Sequence, residues 1–317
     1  MTAKRAWSQC CPLVKVLSSS VAIAERAGQL VRQTYGKDLK VLTKGYRDLQ
    51  TEADRLSQKC IVHSLEKSFG PDLAIIAEEE LDATCPTETI ITDKYSDDVL
   101  SLENSIDTKL KQAKLNELVV WVDPLDGTYE FSMESLLKGY VSHVTIMIGV
   151  AMNGTPVAGV IHQPYTKENE KTNMEQGRTV WALRSAGVKG DVMLTSPPTD
   201  KLIVVTTRSH GNELLDKTLK ALKPDEICKV GGAGHKALML LEGKAHAYIF
   251  TGGGTKKWDT CAAECLLYEA GGSLTDIKGQ NYVYANSVQL NNANGILALA
   301  PGANPELSKR VANIDQS

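Results

Sequence analysis

The chain has 317 residues, and its 42% hydrophobic and 23% charged residues exclude a disordered chain, a fibrous repeat and a disulfide-stabilised miniprotein. This length predicts one large or two ordinary domains. Because 35 basic residues stand against 38 acidic ones, the formal charge is −3, which argues against bulk electrostatic binding of nucleic acid.

The first part of the chain predicts two helices. Apolar residues spaced by three and four from Val14 to Val31 predict a helix with one buried face, and Gly36 is a suitable stop. A second helix is predicted to begin near Thr51 and to run to Phe69, where a Gly-Pro pair ends it.

Strand-length apolar runs follow these helices. The acidic excursion, residues 81–117, separates the first run from the others and is expected to be exposed, with one helix over residues 97–113. Asn153 and Gly154 predict a hairpin turn between two of the runs. The predicted strands are residues 73–77, 118–122, 143–152, 156–162 and 178–183.

A turn-rich segment, residues 195–199, predicts a domain boundary. Residues 1–194 have hairpin character and predict an α+β domain. Residues 195–317 alternate strands and helices, which is typical of an α/β layer. The predicted strands are residues 202–207 and 245–250, and the predicted helices are residues 212–222, 235–241 and 259–270.

Carboxylates stand where these elements end or begin. Glu78 follows the first predicted strand, Asp123 and Asp126 follow the second, and Asp259 begins a predicted helix. Residues at strand ends can converge at an open sheet edge, where α/β proteins commonly bind ligands.

The segment Asp-Pro-Leu-Asp-Gly-Thr is the most informative of these sites. Pro124 fixes φ and Gly127 permits a left-handed turn, so that Asp123 and Asp126 can point to one place beside the Leu125 carbonyl. Such an all-oxygen ligand set suits a hard cation such as Mg²⁺.

Each acidic site also has an ordinary structural interpretation. The Asp-Pro-x-Asp-Gly pattern is typical of a simple turn, and an acidic triplet such as residues 78–80 is typical of a solvated face. Thr51 and Asp54 resemble a capping pair at a helix start, and Asp259 resembles a plain N-cap. Their occurrence together favours a metal site.

The second half of the chain supplies candidate contacts for an anion. Residues 206–210, Thr-Thr-Arg-Ser-His, follow a predicted strand, and residues 230–236 form a glycine-rich loop that leads into a helix. Such a loop predicts free N–H groups and a positive dipole end facing a phosphate. The histidines show no zinc spacing.

Two blocks, residues 123–128 and Trp-Asp-Thr-Cys-Ala-Ala at residues 258–263, are followed by a Gly-Gly pair at 271–272. They resemble the lithium-sensitive, Mg²⁺-dependent phosphomonoesterase superfamily, which includes inositol monophosphatase and fructose-1,6-bisphosphatase. Residues 48–55, 206–210 and 230–234 are similar to its 3′(2′),5′-bisphosphate nucleotidase branch. The resemblance extends to about residue 301 and is weakest across the acidic excursion.

This resemblance implies an αβαβα layered sandwich and a Mg²⁺-dependent enzyme with two or three ions, inhibited by Li⁺. The implied reaction removes the 3′-phosphate of adenosine 3′,5′-bisphosphate to give AMP and phosphate. Activity on 3′-phosphoadenosine 5′-phosphosulfate and on the 1-phosphate of inositol 1,4-bisphosphate is implied as well.

The resemblance also assigns roles to individual residues. Most implied metal ligands lie in the first domain, whereas the last ligand and the nucleotide contacts lie in the second. The implied metal ligands are Glu78, Asp123, the Leu125 carbonyl, Asp126 and Asp259; the implied catalytic pair is Asp54 and Thr128; and the implied substrate contacts are Thr207, His210, Gly232 and Lys236. Tyr129 stands where Lys is usual and His235 where Asn is usual.

Two other functions stay open at this point. An inositol polyphosphate 1-phosphatase would use the same metals, although the nucleotide-side residues favour a nucleotide. A non-catalytic nucleotide or cation sensor should have lost a ligand or the Asp54–Thr128 pair, and none is missing.

The expected partner is a small nucleotide bisphosphate rather than nucleic acid or a membrane. A monomer is favoured. No apolar run reaches membrane-spanning length, no signal peptide or anchor is expected, and the seven cysteines predict reduced thiols, all of which indicates a cytoplasmic protein.

Overall fold

A computed structural model describes residues 3–35, 42–45, 48–80, 87–132, 140–166 and 177–314. The helices are α1 Ala3–Gln9, α2 Pro12–Thr34, α3 Glu52–Phe69, α4 Asp97–Leu100, α5 Thr108–Lys111, α6 Thr128–Ser132, α7 Glu213–Leu222, α8 Ala233–Leu241, α9 Cys261–Glu269 and α10 Glu306–Ile314. The strands are β1 Leu42–Gly45, β2 Asp48–Gln50, β3 Ala74–Ala77, β4 Leu118–Asp126, β5 Thr145–Met152, β6 Thr155–Gln163, β7 Arg178–Leu183, β8 Gly187–Gly190, β9 Ile203–Thr207, β10 Glu226–Val230, β11 Ala247–Phe250, β12 Ser273–Thr275 and β13 Ile296–Leu299.

The strands form two large sheets and a small hairpin. The first sheet has six strands in the order β3-β4-β5-β6-β7-β8, antiparallel except for the parallel pair β3 and β4. The second has five strands in the order β10-β9-β11-β13-β12, in which β9 runs parallel to both of its neighbours. Among the described strands, β1 and β2 pair only with each other.

Helices cover both faces of each sheet. Side chains of α2 and α3 pack with β4, β5 and β6 in one core cluster. A second cluster joins the other face of the first sheet to α8, α9 and the near face of the second sheet. Because neighbouring strand residues point to opposite faces, Val205 belongs to this cluster, whereas Val204 packs with α7 and α10 in a third. The layer order is therefore αβαβα, which confirms the predicted fold class.

α2 illustrates how the sequence produces this packing. Pro12 occupies its first turn, where a missing N–H costs nothing, and its apolar stripe is buried. At Gly28 an added Cβ would lie 2.1 Å from Nε2 of His162, so only glycine allows α2 to approach β6 this closely. The predicted stop at Gly36 lies outside the described residues.

Most of the remaining predicted elements are also confirmed. The hairpin turn has Asn153 and Gly154 at φ values of 52° and 79°, which suit the turn between β5 and β6. The sequence alone does not predict the strands β1, β2, β8, β10, β12 and β13 or the helices α1, α6 and α10. Six cysteines in the described residues are free, among them the buried Cys261 and Cys265. No described helix has both the length and the apolarity needed to span a membrane.

The single helix predicted over residues 97–113 is wrong. The chain instead forms α4 and α5, each of four residues, with a 3-10 turn after α4. Ser96 and Asp107 side chains accept hydrogen bonds from backbone N–H groups of Val99 and Lys109, at 3.4 and 2.7 Å, so each begins a separate helix.

The predicted domain boundary, residues 194/195, falls between β8 and β9, the last strand of the first sheet and the first strand of the second. The second core cluster draws residues from both sides of this boundary. The division into two domains therefore stays a prediction.

Candidate active site

The end of β4 carries two carboxylates to one place. In a regular strand Asp123 and Asp126 would point to opposite faces, because they are three residues apart. The pairing of β4 with β5 shifts register between them, and Gly127 then takes a φ of +87°. The turn-forming residues predicted for this segment thus bend the end of the strand, although the strand itself continues to Asp126.

Asp259 approaches the same place from the second half of the chain. Its predicted role as the start of α9 is wrong, because that helix begins at Cys261. Asp259 instead closes a 3-10 turn, and its Oδ2 accepts a hydrogen bond of 2.6 Å from the Lys256 N–H. Carboxylate oxygens of Asp123, Asp126 and Asp259 all lie within 4.8 Å of one another, and these three residues are called the acidic group below.

The carboxylates of the acidic group repel one another. Burial raises the pKa of Asp123 well above its usual range, and the charges of Glu78, Asp259 and Asp126 raise it further. Burial, followed by the charge of Asp126, raises the pKa of Asp259 to about 6. A bound cation would relieve this repulsion, and the donors are the oxygens that Mg²⁺ prefers, so these residues fit a Mg²⁺ site.

Glu78 is not part of the acidic group, but it lines the same cavity. Its backbone N–H donates to the Val122 carbonyl at 3.2 Å, which places it beside the end of β4. The next residue, Glu79, is buried: its backbone N–H donates to Gln58 at 2.8 Å and its side chain accepts from Gln50. The structure therefore separates two acids that the sequence leaves equivalent.

Asp126 also ties the two halves of the chain together. Its carboxylate accepts hydrogen bonds from the backbone N–H groups of Ala233 and Gly234, at 2.9 and 2.8 Å, and from the Thr145 hydroxyl at 2.8 Å. The expectation that the glycine-rich loop leaves its N–H groups free for a phosphate is wrong for these two. A carboxylate of the protein itself already occupies the first turn of α8.

Asp54 makes the contacts expected of a helix cap and also contacts Thr128. Its Oδ2 accepts from the Thr51 backbone N–H at 2.8 Å, completing a capping box at the start of α3. Its Oδ1 accepts from the Thr128 hydroxyl at 2.9 Å, and that hydroxyl also lies 3.0 Å from the Leu125 carbonyl oxygen. Burial raises the pKa of Asp54 to about 6. Capping therefore does not exclude a catalytic role.

One cavity of about 400 Å³ brings the predicted residues together. Of the predicted site residues, only Asp54 does not line it, although Asp54 is hydrogen-bonded to Thr128, which does. The lining residues include Glu78, Asp123, Leu125, Asp126, Thr128 and Asp259 as well as Thr207, His210, Gly232 and Lys236. Their roles stay predictions, but their convergence does not follow from sequence spacing alone.

The predicted substrate contacts occupy the second-half side of the cavity. Thr207 ends β9, and its hydroxyl oxygen accepts the His210 backbone N–H at 3.2 Å, which shapes the turn of residues 207–210. Gly232 has a φ of +72° and precedes α8. Lys236 is buried with its Nζ 5.0 Å from the Tyr248 ring centre. Burial lowers the pKa of Lys236, an effect that nearby Asp126 opposes.

Two residues of this region could not be paired from the sequence. Glu130 in α6 is buried and forms an ion pair with Arg208 at 2.6 Å. Arg208 belongs to the segment 206–210 that the sequence singled out, whereas Glu130 lies just beyond the block 123–128, and nothing in their spacing indicated the contact. Of the two unusual residues, Tyr129 lines the cavity, whereas the half-buried His235 stacks on His143 with ring centres 4.2 Å apart.

Comparisons with known proteins find a matching family and similar proteins. Residues 13–313 match the model of the inositol monophosphatase family. Human 3′(2′),5′-bisphosphate nucleotidase 1 is 41% identical over 288 residues, which cover 90% of this chain and 91% of the relative. The Golgi-resident adenosine 3′,5′-bisphosphate 3′-phosphatase of Rattus norvegicus is 31% identical over 96% of this chain and 83% of its own.

The solved structures show the same fold. The extragenic suppressor protein suhB of Bartonella henselae superposes with a TM-score of 0.66 and 21% identity, covering 93% of this chain and 98% of that one. At this identity the likeness supports the layered architecture and no particular substrate.

Proposed function

The chain belongs to the inositol monophosphatase family, and from this premise we propose that it removes the 3′-phosphate of adenosine 3′,5′-bisphosphate, giving AMP and phosphate. The relative named 3′(2′),5′-bisphosphate nucleotidase 1 supports this substrate at 41% identity. The observation that carries the proposal is that the acidic group lines the same cavity as Thr207, His210 and Lys236.

The acidic group, together with Glu78 and the Leu125 carbonyl, would hold Mg²⁺. The proposed number of ions is two or three. When bound, Mg²⁺ supplies positive charge to the phosphate oxygens and lowers the pKa of water. The protein's own contribution is to bury these oxygens and to fix them through hydrogen bonds such as that between the Leu125 N–H and Asp123, 3.0 Å long.

Asp54 and Thr128 are the proposed route for the proton of the attacking water. The Thr128 hydroxyl donates to Oδ1 of Asp54, so its oxygen can accept a proton from water while its own proton passes to the carboxylate. The capping bonds from Thr51 hold Asp54 in the orientation that this transfer needs. Burial, which raises the pKa of Asp54, makes its carboxylate a better base near neutral pH.

Lys236 and His210 are proposed to bind the nucleotide, together with Thr207 and Gly232. Activity on 3′-phosphoadenosine 5′-phosphosulfate and on inositol 1,4-bisphosphate is proposed as secondary, and an inositol polyphosphate 1-phosphatase is the alternative. A non-catalytic sensor is disfavoured by the intact Asp54–Thr128 hydrogen bond. A monomer in the cytoplasm remains the proposed state and location.

Phosphate release tests this proposal most simply. Adenosine 3′,5′-bisphosphate and inositol 1,4-bisphosphate are each incubated with the protein, with Mg²⁺ or with a chelator. We expect Mg²⁺-dependent release that has a higher kcat/KM for the nucleotide. A higher kcat/KM for the inositol phosphate would favour the alternative, and no release from either would contradict a phosphatase.

Lithium should inhibit the reaction. Li⁺ is similar in size to Mg²⁺ but carries half its charge, so the same oxygens can hold it while the phosphate is stabilised less. We expect LiCl to lower the rate at concentrations at which KCl has no effect. The pattern should be uncompetitive or noncompetitive, because the proposed site of Li⁺ is a Mg²⁺ position that forms after substrate and the first metal ion have bound. Initial rates against substrate, at constant ionic strength, measure this. Equal rates in both salts would contradict the prediction, and purely competitive inhibition would refute the proposed site of Li⁺.

Magnesium should also stabilise the folded protein. Mg²⁺ at 100 times its Kd adds about 2.7 kcal/mol if it binds only the folded state. We expect a clear rise of Tm on adding Mg²⁺ to chelator-treated protein. Asp123→Asn should raise the Tm of the metal-free protein, because it removes one repelling carboxylate, and should remove most of the rise with Mg²⁺. A full Mg²⁺ response in this variant would contradict the assignment.

A further inference from the structure

The ion pair between Glu130 and Arg208 lies at the junction of the segments around the cavity. Glu130 is two residues beyond Thr128 in α6, and its side chain is only 4% exposed. Arg208 directly follows Thr207 at the end of β9. Their 2.6 Å contact therefore links the catalytic side of the cavity to the turn of residues 207–210.

A third segment, the loop before α8, lies against the Glu130 carboxylate. A Cβ at Gly231 would lie 2.0 Å from the Glu130 carboxyl carbon, so only glycine lets the loop before α8 come this close. That loop leads into Gly232 and Lys236. Glu130 thus contacts both of the segments that carry the proposed nucleotide contacts.

Arg208 is held in a geometry that lysine cannot reproduce. Its guanidinium carbon lies 4.2 Å from the ring centre of Tyr140, while a terminal nitrogen reaches Glu130. A planar guanidinium can stack and donate at once, whereas an ammonium is a point charge on a flexible stem. Arg208 does not line the cavity, whereas Glu130, Thr207, Ser209 and His210 do. Arg208 therefore acts through these residues, and Glu130 is the member of the pair that reaches the cavity wall.

We infer that Glu130 and Arg208 are a positioning pair that sets the nucleotide side of the site, an inference that rests on the proposed function. A buried carboxylate needs its partner, and the partner fixes the turn that bears Thr207 and His210. Loss of the pair should therefore weaken binding of the nucleoside and leave the chemistry at the acidic group intact.

Arg208→Lys tests the pair because it preserves net charge. The measurements are kcat and KM for adenosine 3′,5′-bisphosphate, and Ki for AMP and for inorganic phosphate, all at saturating Mg²⁺. We expect KM and the Ki for AMP to rise about 10-fold, which corresponds to about 1.4 kcal/mol. The kcat and the Ki for phosphate, which lacks the nucleoside, should stay within about twofold, a range equal to about 0.4 kcal/mol.

Arg184→Lys is the matched control. Arg184 also stacks on a tyrosine, with its guanidinium carbon 3.4 Å from the ring centre of Tyr268, but it lies in the β7–β8 turn. It should leave all four constants unchanged. Unchanged KM and AMP Ki in Arg208→Lys would overturn the inference, as would equal losses of AMP and phosphate inhibition, which indicate general damage.

A double-mutant cycle separates positioning from a direct effect of charge on the substrate. Glu130→Gln and the double variant Glu130→Gln/Arg208→Lys should show the same rise in KM as Arg208→Lys alone, because each breaks one contact. If instead the rise in KM of the double variant equalled the product of the rises in the two single variants, the inference would be overturned. If Arg208→Lys does not fold, as judged by its melting curve, Gly231→Ala tests the same carboxylate from the opposite side and should give the same pattern.

The outcomes distinguish this inference from the proposed function. A wild-type protein that does not hydrolyse adenosine 3′,5′-bisphosphate contradicts the proposed function. If the wild-type protein hydrolyses this substrate but Arg208→Lys leaves KM unchanged, only the inference of a positioning pair is overturned.

Discussion

Replacing Asp123 by Asn is expected to lower kcat/KM by about 10³-fold or more, because the change removes an anionic ligand and the transition-state stabilisation that depends on it. The Asn oxygen can still accept the 3.0 Å hydrogen bond from the Leu125 N–H, so the bend at the end of β4 should persist. The measurement is the steady-state rate against Mg²⁺ concentration, accompanied by a melting curve.

A matched control for this substitution is Asp216→Asn, an exposed position in α7 on the outer layer. It should change the rate by less than about twofold, because surface changes away from special features are nearly neutral. Full turnover by Asp123→Asn in the presence of a chelator would contradict a metal site at the acidic group.

Asp54→Asn is expected to lower kcat by about 10²-fold or more while leaving Tm nearly unchanged. Asn caps a helix about as well as Asp, so the bonds from Thr51 have a suitable acceptor. The amide cannot accept a proton from Thr128 as a carboxylate does. Kinetics and melting curves on one preparation decide between a cap and a base; a near-normal rate would make Asp54 a cap only.

The pH dependence gives this prediction a second readout. The pKa of Asp54 is raised to about 6, and a general base works only when it is deprotonated. The wild-type kcat should therefore fall as pH drops below about 6, and this acidic limb should be absent from the residual activity of Asp54→Asn. An identical limb in both proteins would assign it to another group.

Elements with a strong local pattern could be predicted from the sequence. The apolar stripe of α2 and the Thr51 capping pair of α3 depend on neighbours three and four residues apart, and both helices form as expected. β10, whose Glu-Ile-Cys-Lys-Val sequence is mostly exposed at a sheet edge, has no such pattern. Its parallel pairing with β9 depends on tertiary structure and cannot be predicted from the composition of the strand.

In the candidate site, too, local features could be predicted from the sequence and long-range contacts could not. The bend around Gly127 follows from local turn chemistry, and the sequence indicated it. The bonds from Ala233 and Gly234 to Asp126 join residues more than a hundred positions apart, and the Glu130–Arg208 pair joins residues 78 apart. Such contacts depend on how the layers stack, which is why residues 230–236 were wrongly expected to offer those N–H groups to a phosphate.

Identification of the product tests the central claim most directly. Adenosine 3′,5′-bisphosphate is incubated with the protein and Mg²⁺, and the nucleotide product is identified by ³¹P NMR spectroscopy. The account predicts that the 3′-phosphate resonance disappears while the 5′-phosphate resonance remains, giving AMP and inorganic phosphate. Adenosine 3′-phosphate as the product, or a nucleotide that stays intact in the presence of Mg²⁺, would contradict it.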